Sequence, residues 1–111
     1  VCASVFQHFL WAGSSIYWND KISHNICKET LNQNKILAAI CIAPVTLAKS
    51  GVLKGKKATV WPDQDCIEQL KQNKSIYKND SVIIDGKIIT GSGPQSTQLF
   101  AESIDKVLKL W

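Results

Sequence analysis

The chain has 111 residues, enough for one domain with a single modest core, and 45% of them are hydrophobic against 20% charged. That balance is ordinary for a globular protein, and no stretch reaches the roughly 18 continuous apolar residues of a membrane helix, so no membrane role is expected. The net charge of +4 comes from 13 cationic residues, all of them lysine. With no arginine, and no aromatic pattern around Lys54, Lys56 and Lys57, a solvated loop explains that cluster better than a nucleic-acid surface.

Four cysteines, Cys2, Cys27, Cys41 and Cys66, include no CxxC pair, and His8 and His24 stand at no ligand-type spacing from them. No metal site is expected. The cysteines fall inside apolar patterns rather than in loops, which suits reduced thiols and a cytoplasmic protein. The opening VCASVFQHFL has neither a charged leader nor a small-residue cleavage site, and the chain contains no methionine. An incomplete or processed chain without a signal peptide is the expectation.

In chain order, Asp20 can cap a helix running to about Asn34, with Ile22, Ile26 and Leu31 near one face. Residues 36–41 form a short continuous apolar run, as in a strand covered on both faces. Pro44 suits the first turn of a second helix, where a missing N–H costs little, and Gly51 can close it in the left-handed conformation. Lys57–Trp61 reads as another strand, closed by Pro62. Asp65 with Glu68 resembles a capping box for a short helix carrying Ile67 and Leu70, and Cys27 and Cys66 both read as core residues within helices.

Ser81–Thr90 holds two β-branched runs flanking Asp85-Gly86, a pair suited to a type I′ hairpin turn. The loop Gly91-Ser92-Gly93-Pro94 precedes a last helix from about Gln95, with Phe100, Ile104, Val107, Leu108 and Trp111 on one face. This order predicts an α/β sandwich with a mainly parallel sheet, whose ligand site would lie at the carboxyl ends of the strands.

Cys41 stands at such an end, directly before a helix. Two readings follow from spacing alone. It can be a small buried hydrophobe closing a strand, as free cysteines often are. It can also be the nucleophile of an elbow, where a tight turn exposes the thiol and backbone N–H groups at the helix start raise its reactivity and hold an oxyanion.

The run AAICIAPVTLAKSGVLKGKKATVW, the segment from Tyr77 to Val82, VIIDGKIITGSGP and a terminal helix beginning near Ser96 resemble the ThiJ/PfpI superfamily. The likeness covers about residues 14–111. It implies a flavodoxin-like three-layer sandwich related to class I glutamine amidotransferases, usually dimeric. On this likeness residues 1–111 form one partial domain, without its N-terminal β-α-β portion. The family's reactive cysteine matches Cys41. By the same resemblance the backbone N–H groups of Ile42 and Gly13 are the oxyanion donors, and Trp61, Ser92 and Gly93 line the pocket.

Departures from the family pattern bear on chemistry. Peptidase-like members place a histidine directly after the nucleophile, where this chain has Ile42. Deglycase-like members place one before a proline in the next strand, where this chain has Trp61 before Pro62. A family glutamate that meets the cysteine belongs to an earlier segment that has no counterpart in these 111 residues.

The resemblance therefore implies a cofactor-free cysteine hydrolase or deglycase acting on small electrophiles, protein adducts or amide-like bonds, as a homodimer. Proteolysis is not expected, because the leaving amine lacks a general acid. Two alternatives remain open: a redox-responsive stress protein that is not an enzyme, and an inactive truncated homologue.

Overall fold

A computed structural model describes residues 3–5, 10–12 and 21–110. Its elements run β1 (Ala3–Val5), β2 (Leu10–Ala12), α1 (Lys21–Asn32), β3 (Leu37–Ile40), α2 (Pro44–Ser50), β4 (Lys57–Ala58), α3 (Gln64–Gln72), β5 (Ile76–Tyr77), β6 (Val82–Asp85), β7 (Ile88–Gly91) and α4 (Thr97–Leu110), with a 3-10 turn at Pro94–Ser96 before α4. No helix among the described residues is long and apolar enough to cross a membrane.

The fold is organised around β3. It pairs in parallel with β7, Leu37 opposite Ile88 and Ala38 opposite Ile89, and β7 pairs antiparallel with β6. Because successive strand residues point to opposite faces, these two strands feed two separate cores. Leu37, Ala39 and Ile88 pack with Cys27, Val45, Leu47, Cys66 and Leu70 from α1, α2 and α3. Ala38, Ile40 and Ile89 pack with Phe100 and Val107 from α4 on the other side. Helices on both faces of a sheet make three layers, the expected sandwich. All four residues of β3 are buried, which is why its sequence is continuously apolar instead of alternating.

The second parallel pair is β4 with β5, and β1 pairs antiparallel with β2. β4 is held against the hairpin by side chains: the Lys57 N–H donates to Asp85 Oδ2 at 2.8 Å and the Thr59 N–H to Thr90 Oγ1 at 3.0 Å.

Helix ends follow their local chemistry. Pro44 opens α2, and Gly51 closes it at φ +92°, its N–H bonded to the Ala48 carbonyl. Three details correct the sequence-based expectations. The cap of α3 is Asp63, whose carboxylate accepts from the Asp65 N–H at 3.1 Å, so Asp65 lies inside the helix and makes no capping box. The hairpin pairs Asp85 with Ile88, so its two-residue loop is Gly86-Lys87 and not Asp85-Gly86. Within that loop only Gly86 has positive φ, at +64°, because Asp85 is drawn into the strand where its carboxylate meets Lys57. The third is the strand expected over Lys57–Trp61, which pairs only at Lys57 and Ala58, since the next N–H turns to the Thr90 side chain.

Candidate functional site

The turn between β3 and α2 holds Cys41 in an uncommon conformation. Its φ is +67°, a left-handed value that costs a residue bearing a Cβ about 1–2 kcal/mol. Surrounding hydrogen bonds hold it there. The Cys41 N–H donates to the Gly91 carbonyl at the end of β7, at 3.0 Å, and the Trp61 N–H donates to the Cys41 carbonyl at 2.8 Å. A third bond, from the Ala43 N–H to the Ile40 carbonyl at 3.2 Å, closes the turn itself. The chain thus leaves a parallel strand and enters a helix through one strained residue, which is the geometry of a nucleophile elbow.

The left-handed turn breaks the alternation of β3, so that Cys41 faces the same side as Ile40. Cys41 is half-buried against the α4-side core and Ile42 against the α1–α3 core. Ile42 also accepts from the Val45 N–H at 3.2 Å, so its backbone belongs to the first turn leading into α2.

Trp61 meets the elbow from the segment after β4. Its backbone bonds Cys41, while its ring lies on Gly93: a Cβ built at Gly93 would stand 2.6 Å from Trp61 Cε3 and 2.8 Å from Cζ3. Gly93 follows Gly91 by two residues, so the ring bridges the two segments that grip Cys41. One edge of the indole remains open to solvent, with Trp61 36% exposed.

Ser92 is fixed nearby by its N–H to the Ser81 carbonyl at 3.0 Å, and its hydroxyl pairs with that of Ser96 at 3.1 Å. Cys41, Ile42, Trp61, Ser92 and Gly93 are therefore joined by short links around one strand end. Gly13, His8 and Cys2 lie outside the described residues.

One residue not singled out for this site takes part in it. Gly91 supplies the carbonyl that holds Cys41 and leaves room for the side chains of Ile40 and Phe100, both 3.0 Å from where its Cβ would be. The repeated glycines of Gly91-Ser92-Gly93 were the available signal for close backbone approach. Cys66 of α3 is a core residue whose thiol is pushed up to about 11, mainly by burial, with Asp63, Cys41 and Asp65 adding to the effect.

Cys27 is fully buried and its thiol is pushed up to about 12 by burial, opposed by hydrogen bonding from Ser50 and its own backbone. Both helix cysteines are core residues, as expected, and Cys27, Cys41 and Cys66 are all free thiols. His24, the one histidine among the described residues, is half-buried on α1. Among the described residues no group of three or more His, Cys, Asp or Glu side chains could hold a metal ion.

An α/β sandwich with a strained cysteine between a central parallel strand and the following helix defines a class of elbow-cysteine proteins. The DJ-1/PfpI family model matches residues 12–106. An uncharacterised protein of Methanocaldococcus jannaschii is 43% identical over 98 residues, which are 87% of this chain and 48% of that protein. Protein DJ-1alpha of Drosophila melanogaster is 36% identical over 97 residues, again 87% of this chain and 44% of the relative. Among solved structures, a ThiJ/PfpI domain protein from Brachyspira murdochii superposes with a TM-score of 0.82 at 24% identity, covering 86% of this chain and 54% of that one.

This chain belongs to the DJ-1/PfpI family, and its sandwich is the fold of that family. It spans about half the length of the relatives it matches.

Proposed function

We propose that the protein is a cysteine-nucleophile enzyme of the hydrolase or deglycase type, acting on small carbonyl electrophiles or their protein adducts in a reducing compartment such as the cytoplasm. The single observation that carries this reading is Cys41 at φ +67°, a non-glycine residue kept in a costly conformation at the end of a parallel strand. In the reaction the Cys41 thiolate adds to a carbonyl carbon. The S–C bond forms as the C=O π pair moves to oxygen, and that oxygen takes a proton from water. The elbow backbone at Ile42, together with Gly13, is where the oxyanion would be met.

A thiolate attacks without an adjacent histidine, so Ile42 and Trp61 do not stop the first step. They leave the later proton transfers to solvent, a loss of about a hundredfold in rate relative to a positioned acid–base group. From the hemithioacetal of a 2-oxoaldehyde, solvent carries the proton on the attacked carbon to the neighbouring carbonyl carbon, and water hydrolyses the resulting thioester to a 2-hydroxy acid and the free Cys41 thiol. Turnover is slow, and amide cleavage does not occur.

The test is turnover of methylglyoxal by the full-length protein, with adducts mapped by mass spectrometry and Cys41→Ser as control. Adduct at Cys41 and loss of turnover in the variant support the proposal. Turnover that survives Cys41→Ser overturns it.

The same two side chains favour a second reading, a redox-responsive thiol with no turnover. Limiting peroxide would then convert Cys41 to a sulfenic acid that added thiol reverses, in a protein inert toward aldehydes.

A further inference from the structure

We propose that Trp61 is a specificity-determining wall of the thiol site, selecting electrophiles that carry an aromatic or flat apolar group beside the reactive carbon. The inference rests on Cys41 being the reacting group. Three segments converge on Cys41: its own strand, the segment after β4 through the Trp61 N–H, and the end of β7 through the Gly91 carbonyl. The indole belongs to the second segment and is seated on Gly93 just beyond the third. Its backbone is thus bonded to Cys41, and its ring lies on Gly93, two residues beyond Gly91, the other residue bonded to Cys41.

Its position is fixed from both sides. The backbone bond to Cys41 holds its Cα, and the bare Cα of Gly93 gives the ring a flat seat that any side chain would remove. Trp61 keeps 36% of its surface in water, and Cys41, whose carbonyl accepts from its N–H, is half-buried. An indole in that setting offers π surface and one N–H donor, but no group that titrates to serve as acid or base. It favours a substrate by offset stacking and dispersion, and stacking of this kind corresponds to a preference of about fivefold.

Two reagents with one warhead test this: iodoacetamide and its N-phenyl derivative, reacted with the full-length protein while Cys41 modification is followed by mass spectrometry. The readout is the rate ratio of the two reagents, normalised to the same ratio for glutathione. The expected ratio is about fivefold above glutathione in the unaltered protein. It falls to that of glutathione in Trp61→Ala and stays high in Trp61→Phe. Gly93→Ala, whose Cβ displaces the ring, behaves as Trp61→Ala.

A ratio equal to that of glutathione in the unaltered protein, or unchanged in Trp61→Ala, overturns the wall. The nucleophile reading is judged separately, from methylglyoxal turnover and its loss in Cys41→Ser. A Cys41 that reacts with neither reagent overturns both.

Discussion

The strain at Cys41 has a measurable signature when two small replacements are compared with each other. Cys41→Ala and Cys41→Gly both remove the sulfur and its packing against the α4-side core, so those losses cancel between them. What differs is the Cβ at φ +67°. Keeping it costs about 1–2 kcal/mol in the left-handed region. Removing it costs about 0.5–1 kcal/mol of additional backbone entropy on folding.

The glycine variant should therefore be the more stable by about 0.5–1 kcal/mol, the reverse of the usual order of alanine over glycine. With a urea m-value of about 1 kcal/mol/M for a domain of this size, the midpoints should differ by roughly 0.5–1 M at equal slope. An alanine variant more stable than the glycine variant would refute the strained elbow, and with it the main structural ground for a placed nucleophile.

Gly91→Ala should destabilise by about 1–3 kcal/mol, because its Cβ meets Ile40 and Phe100 at 3.0 Å inside a core; an unchanged thermal midpoint would contradict that packing. Asp63→Ala should cost about 1 kcal/mol by removing the α3 cap, with Asp65→Ala close to neutral, as read from the same thermal transition. Stability should also fall at alkaline pH. Burial raises the folded-state thiols of Cys27 to about 12 and Cys66 to about 11 from an ordinary 9.0, so between 9.0 and those values the native state keeps protons that the unfolded chain gives up. Their contribution is intact below pH 9.0 and is lost as pH climbs toward those folded values, at about 1.4 kcal/mol per pH unit for each group. Urea midpoints between pH 8 and 11 should accordingly drop less steeply in Cys27→Ala than in the unaltered chain.

Where local chemistry decides conformation, the sequence was a sound guide. The apolar run before Cys41, Pro44 as a helix opener and Gly51 as a helix closer each act through their immediate neighbours, and each stands where expected. The hairpin slipped by one residue because the position of Asp85 is set by a contact 28 residues away, with the Lys57 backbone. The cap of α3 moved to Asp63 since either of two nearby aspartates could serve, and only the geometry after Trp61 chooses between them.

The site was legible in part. A cysteine between a strand and a helix marked the elbow, but its positive φ depends on partners at residues 61 and 91, which no local pattern reveals. The seating of Trp61 on Gly93 is likewise a product of the assembled sheet, and only the family likeness had put those two residues together.

Every bond described here that fixes Cys41 comes from the main chain: its own N–H and carbonyl, the Gly91 carbonyl and the Trp61 N–H. The side chains at 42 and 61 take no part in those bonds. The bonding of the elbow is thus independent of side-chain identity at 42 and 61, while the packing of Ile42 against the α1–α3 core and of Trp61 on Gly93 is not. An elbow wired in this way is open to gradual change of reaction, and Trp61→His, at an exposed position whose backbone bonds Cys41, is a natural first step for redesign.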